Sequence, residues 1–167
     1  MVDRSHPLAA LAAASPACAV VRLVALSPTT RLVVRGDAPP FGLALPDTCR
    51  ARVSGERALL WLGPDEFLLL APEGCELQPS MATVDVSHRD AAVLVCGPRA
   101  AWVINAFCPL DLHPSAFPVG MCTRTIFAKA EIILWRRETE TFRIEVARSF
   151  APYVWQCLEE ARREFLG

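Results

Sequence analysis

With 167 residues, 53% of them hydrophobic, the chain is long enough to bury a substantial core as one domain. Its formal net charge of -1 gives no electrostatic drive toward nucleic acid or an anionic membrane, so neither is expected as a partner. The apolar runs 58–62, 67–71 and 91–96 fall far short of the ~20 residues that cross a bilayer.

Residues 8–14, followed by Pro16-Ala17-Cys18-Ala19, have the outline of a secretory leader. The candidate apolar segment is mostly Ala, however, and Asp3 sits where a leader is basic, so a cytoplasmic location is the better expectation. The 7 cysteines agree with it. Their number is odd, no C-x-x-C pair occurs, and several sit inside apolar runs, which points to free thiols in a reducing compartment rather than disulfides or zinc.

Segments 19–26 and 31–35 read as strands joined by Ser27-Pro28-Thr29-Thr30, and 36–46 is a loop rich in Gly and Pro. Three short β-runs follow at 50–54, 57–62 and 66–71, with Gly55-Glu56 and Gly63-Pro64-Asp65 between them, which predicts a meander. The one break the composition offers is at 72–80. It is too short and too central to divide the chain, so 1–167 is read as a single domain with an internal boundary near 72–80 between two β-rich halves.

The second half opens with strands at 83–87 and 91–96. Gly97-Pro98 then starts a helix whose buried stripe is Ala100, Val103, Ile104 and Phe107. After Pro118-Val119-Gly120 come two more β-runs, 121–127 and 131–135, linked by Ala128-Lys129-Ala130. Segment 141–147 alternates Phe142, Ile144 and Val146 with Arg143 and Glu145, the pattern of a half-buried strand. In the last helix Ser149 is the expected N-cap, and Phe150, Val154, Cys157, Leu158, Ala161 and Phe165 share one face. The fold class is therefore α+β: antiparallel β-meanders with a few packed helices. Trp102 and Trp155 both fall off their helices' stripes, which marks them as candidates for a partner interface, because Trp is enriched at desolvated interface centres.

Catalytic signals are weak. Asp85, Ser87 and His88 supply the residue types of a hydrolytic triad, but they crowd into four positions of one strand end without a G-x-S-x-G elbow. They read instead as a strand-to-turn junction where Asp and Ser satisfy local amides. His6 and His113 have no partner at metal-ligand spacing, and the glycines form no phosphate-binding loop. Arg124, Lys129 and Glu131 are the charges of the central stretch, with Arg124 read as an outward-facing strand residue. No catalytic, cofactor-binding or metal residue is assigned.

The motifs DVSHRDAAVLVCGPRA, CPLDL, FPVG-CTRT-F-KAEIILWR and FRIEVARSFAPYVW together resemble the gamma subunit of bacterial heterotetrameric sarcosine oxidase, from about His6 to Phe165. The densest part is GMCTRT followed by KAEI-LWR. DVSH, a strand and a Gly-Pro helix start are also distantly similar to the glycine-cleavage aminomethyltransferase (T-protein) group, which implies that group's folate-binding-domain architecture. Where that group has a G-G-x-x-D-D-like segment over the pterin, this chain reads Ala128-Lys129-Ala130-Glu131. That departure argues against folate catalysis here. The resemblance implies a non-catalytic chain assembled with alpha, beta and delta subunits into an oxidase that converts sarcosine to glycine. The same oxidase reduces oxygen to peroxide and passes a one-carbon unit to tetrahydrofolate, with FAD, FMN and NAD on the large subunits. Related tetramers act on other N-methyl amino acids. A rival of a different class is a stand-alone folate-binding or one-carbon-transfer protein, in which Glu131 or Asp85 would touch the pterin.

Overall fold

In the computed structural model, which describes residues 6–37, 40–75 and 82–166, the strands sort into two five-stranded antiparallel sheets. After helix α1 (Ala9–Ala14) come β1 (Arg22–Ala25), β2 (Thr29–Arg35), β3 (Ala51–Ser54), β4 (Arg57–Gly63), β5 (Glu66–Pro72), β6 (Ala82–Asp85) and β7 (Asp90–Cys96). Helix α2 (Ala100–Asn105), strands β8 (Cys122–Phe127), β9 (Ala130–Glu138) and β10 (Thr141–Ala147), and helix α3 (Ala151–Arg162) complete the chain. One sheet has the order β1-β7-β10-β9-β8, the other β3-β4-β5-β2-β6. Both expected meanders, β3-β4-β5 and β8-β9-β10, are present as consecutive antiparallel neighbours.

The sheets do not follow the two halves of the sequence. Strand β1 pairs with β7, while β2, only a short turn later, pairs with β5 and β6. The expected break at 72–80 falls largely on 76–81, outside the described residues, and β5 and β6 on either side of it lie in the same sheet. At one corner the sheets are stitched by an antiparallel bridge between Arg50 and Met121, flanked by Cys122 N–H to Cys49 O at 2.9 Å and Ala51 N–H to Gly120 O at 2.8 Å.

Side-chain alternation then builds three apolar layers. Phe142, Ile144 and Val146 of β10, with Ile132 and Leu134 of β9, face the helices and pack on Leu8, Val103, Ile104, Val154, Trp155 and Leu158. Between the sheets lie Leu60, Leu62, Leu68, Leu70, Cys122 and Trp135. On the far side of the second sheet, Leu59, Phe67 and Leu69 pack under Leu43 and its loop. Both faces of β4 and β5 are covered, which explains why 57–71 is nearly continuous in apolar residues rather than alternating.

The same sandwiching corrects the reading of β10 as half buried. Its polar face is buried too: Arg143 is 8% and Glu145 2% exposed. They face the other sheet rather than water. Glu145 accepts from Arg31 Nε on β2 at 2.7 Å and from Arg143 Nε at 2.6 Å, so a charge triad sits between the layers.

Helix α3 also differs from expectation. It begins after Phe150, one residue beyond the expected cap at Ser149, with Pro152 in the first turn. Its buried residues are Ala151, Val154, Trp155, Leu158 and Arg162. Phe150 is left 45% exposed. The reason is the N-terminal segment. Arg162 donates from Nη2 to Pro16 O at 2.9 Å and Ser15 Oγ at 2.5 Å, and from Nε to Glu159 at 2.7 Å, which turns that flank of the helix inward. Trp155 is carried inside with it, only 1% exposed. The expectation that Trp155 marks a partner interface is therefore corrected: it is a core residue of the isolated chain.

Candidate functional site

Helix α2 positions a large concavity, and Gly97 sets where α2 starts. Gly97 has φ +122 and packs so closely on the preceding segment that a Cβ there would lie 2.5 Å from Val20 O. Only glycine fits this corner. From it, α2 turns Ala100, Val103 and Ile104 into the core and leaves Trp102 60% exposed, as its position off the stripe predicts.

The concavity is a groove of ≈ 750 Å³ among the described residues, walled by Ala101, Trp102 and Asn105 of α2, Leu112 and Pro114 of the following loop, and Phe142 of β10. Trp102 donates from Nε1 to Glu164 Oε1 at 2.5 Å, which orients the indole across one rim. Asn105 Nδ2 holds the loop by bonding Leu110 O at 2.5 Å and Cys108 O at 3.3 Å.

Arg136 forms the floor. It lies on the inward phase of β9 with Ala130, Ile132 and Leu134, where a strand would ordinarily carry a fourth apolar residue. Its Nη1 donates to Phe117 O at 2.7 Å and Leu112 O at 3.1 Å, and its Nη2 to Thr139 O at 2.7 Å. Its guanidinium stacks on the Phe142 ring, 4.8 Å from the centroid. Burial among neutral carbonyls lowers its pKa below that of a free guanidinium. The side chain is thus spent on fixing the 112–117 loop and the β9–β10 turn. The signal for it was in the sequence, a charge in an apolar phase, but alternation alone does not say which carbonyls it meets.

The remaining sequence candidates scatter. Asp85 accepts from Ser87 N–H at 2.8 Å, and Ser87 Oγ accepts from Arg31 N–H at 2.9 Å, the junction expected for VDVSHRD rather than a triad. Bonding to Ser87 lowers the pKa of Asp85. Arg124 pairs with Glu66, which also pairs with Arg35 at 2.5 Å. Glu131 is exposed on β9 in one sheet, while Asp85 is exposed on β6 in the other. His113 bonds Ser115 Oγ through Nδ1 at 2.7 Å. Among the described residues no group of three or more His, Cys, Asp or Glu side chains could hold a metal ion, and no helix is long and apolar enough to cross a membrane. What the groove offers is apolar surface and an exposed indole over the Arg136 floor.

Comparison with known proteins shows the family. The model of the family described as sarcosine oxidase, gamma subunit, matches residues 35–164. The sarcosine oxidase subunit gamma of Corynebacterium sp. (strain U-96) is 34% identical over 97% of this chain and 91% of that protein. That of Corynebacterium sp. (strain P-1) is 37% identical over 65% of this chain, a match spanning 58% of the relative's length. Among solved structures, a chain of the heterotetrameric sarcosine oxidase of Corynebacterium sp. U-96, in complex with pyrrole 2-carboxylate, superposes with a TM-score of 0.84. That match covers 98% of this chain and 97% of the other, at 31% identity. The glycine cleavage system aminomethyltransferase T of Bartonella henselae shares the fold at a TM-score of 0.59 and 17% identity, over 84% of this chain and 46% of that one.

Proposed function

This chain belongs to the sarcosine oxidase gamma subunit family, and we propose that it is the non-catalytic gamma subunit of a heterotetrameric sarcosine oxidase, seated on a larger subunit through the groove at Trp102. The observation that carries the reading is the exposed indole of Trp102 on the rim of an apolar groove, in a chain that aligns end to end with one chain of a heterotetrameric oxidase. Its partners are the alpha, beta and delta subunits. The assembly oxidises sarcosine to glycine, forms peroxide, and hands the one-carbon unit to tetrahydrofolate, with FAD, FMN and NAD held by the other subunits and none by this chain. A cytoplasmic location fits the seven free cysteines.

Two readouts test this. The tagged chain, co-expressed with its partners and examined by native mass spectrometry, emerges with a large, a medium and a small subunit. Recovery alone or as a homodimer would overturn the subunit reading. Trp102→Ser weakens assembly about 30-fold, the scale of an interface Trp, while leaving the isolated chain's Tm unchanged. Unchanged assembly would remove Trp102 from the interface and leave the subunit reading standing.

A gamma-type subunit of a related N-methyl amino-acid dehydrogenase is an alternative on the same evidence, and partner identity decides between the two. A stand-alone folate-binding or one-carbon-transfer protein has less behind it. The likeness to aminomethyltransferase T supports the fold alone. Calorimetric binding of tetrahydrofolate to the isolated chain would revive it.

A further inference from the structure

Between the two sheets, at the end opposite Arg124 and Glu131, lies a second cleft of ≈ 270 Å³ that none of the family comparisons assigns. Its walls include Trp135, Arg137 and Arg143 from β9 and β10, and Arg57 from β4. One buried donor in these walls, Trp135 Nε1, has no hydrogen-bond acceptor among the described residues. Arg143 is ion-paired with Glu145, its Nη2 and Nε both 2.6 Å from Oε1. Trp135 and Arg143 are 5% and 8% exposed.

The charges around the cleft are also unbalanced. Glu145 is shared by Arg31 and Arg143, so the buried triad carries one excess positive charge. Arg137 is exposed and stacks on the Trp135 ring, 5.3 Å from the centroid, with no carboxylate partner among the described residues. Among the described residues Arg57 bonds only the Cys75 sulfur, at 3.5 Å. Among the described residues a single acid, Glu56, borders the cleft, and it is exposed. Buried donors are ordinarily satisfied, and unpaired guanidinium groups around a concavity select a planar two-oxygen acceptor that takes two parallel N–H bonds.

We infer that this interlayer cleft binds a carboxylate, held by Arg57 and Arg137 at the mouth, beside Trp135 and the net positive Arg31–Glu145–Arg143 triad in its walls. A free small carboxylate and a carboxylate side chain of a partner subunit share that chemistry. The inference uses only this chain's geometry and stands whether or not the assembly reading does.

The test is titration of the full chain with sodium malonate, against sodium chloride and sodium sulfate at matched ionic strength, followed by Tm and indole fluorescence. Malonate is expected to raise Tm saturably. The double variant Arg57→Gln/Arg137→Gln is expected to weaken binding about tenfold or more. Trp135→Phe keeps the packing and should abolish the fluorescence response. Absence of a saturable rise over chloride, equal response to sulfate, or an unchanged Kd in the double variant would each overturn the carboxylate site. Repeating the titration on the assembled complex separates the sources. Retained malonate binding identifies a free carboxylate as ligand, and lost binding identifies a partner's carboxylate already in place.

Discussion

Glu145 of β10 and Arg31 of β2 stand 114 positions apart in the chain, yet their side chains meet at 2.7 Å between the two sheets, with side-chain exposures of 1% and 3%. Arg143 approaches the same carboxylate from β10 itself. Glu145 is thus the shared anion of two buried cations. Burying three charges is costly, and their mutual attraction roughly offsets that cost only while the set is complete. The triad is therefore better read as a registration device than as a source of net stability: it permits one alignment of β10 over β2.

Removing the shared anion is the severe case. Glu145→Gln keeps the shape but leaves Arg31 and Arg143 facing each other uncompensated, and should lower stability by about 3–5 kcal/mol in urea unfolding. Replacing all three residues by apolar ones of similar volume should cost far less. If Glu145→Gln unfolds at the same urea concentration as the wild type, the triad is not what aligns the sheets.

The two helix tryptophans should behave oppositely. Trp155→Ala opens a cavity among Val103, Val154 and Leu158 and should cost about 3–5 kcal/mol. Trp102→Ser, on an exposed rim, should stay within about 0.5 kcal/mol of the wild type. Comparable thermal shifts from both would contradict the difference in their burial.

Glu66 supplies an acid-limb prediction. Burial raises its pKa, but the guanidinium groups of Arg124 and Arg35 more than reverse this and hold it below its ordinary 4.5. A carboxyl depressed in the fold stabilises above its unfolded pKa, and that stabilisation is lost as pH falls through the folded value. Glu66→Gln should therefore match the wild type's Tm at acid pH and fall behind it above about pH 5. A constant Tm difference across the range would show that Glu66 acts by packing rather than charge.

Cys122 should be chemically silent. It is buried under the sheet corner, and burial pushes its thiol up to about 12. The thiolate is the reactive form, so at about pH 8 alkylation of the native chain should label the half-buried cysteines and spare Cys122 until the protein is unfolded. Early modification of Cys122, read by peptide mass mapping, would mean that the corner formed by 49–51 and 120–122 opens.

Much of this architecture is written in local pattern. The strands at 57–62, 66–71, 91–96 and 141–147, the helix after Pro98 and the exposure of Trp102 follow from periodicity and from Gly and Pro placement, because each depends on residues within a few positions of one another. The family, too, was legible, since GMCTRT and KAEI-LWR are contiguous. What local pattern does not carry is which face meets what. The alternation in β10 gives two faces but cannot say that the polar one is covered by a second sheet, so Arg143 and Glu145 read as solvated when they are buried. In α3 the expected stripe and the observed one differ by a slight rotation, and the Ser15–Arg162 contact that fixes it spans 147 positions. Likewise Trp135 and Arg57 are unremarkable strand residues in the sequence, and only the stacking of the two sheets makes them walls of one cleft. Local geometry is set by the chain's own dihedral and side-chain preferences, whereas burial and charge pairing belong to pairs of distant elements and exist only once those elements pack.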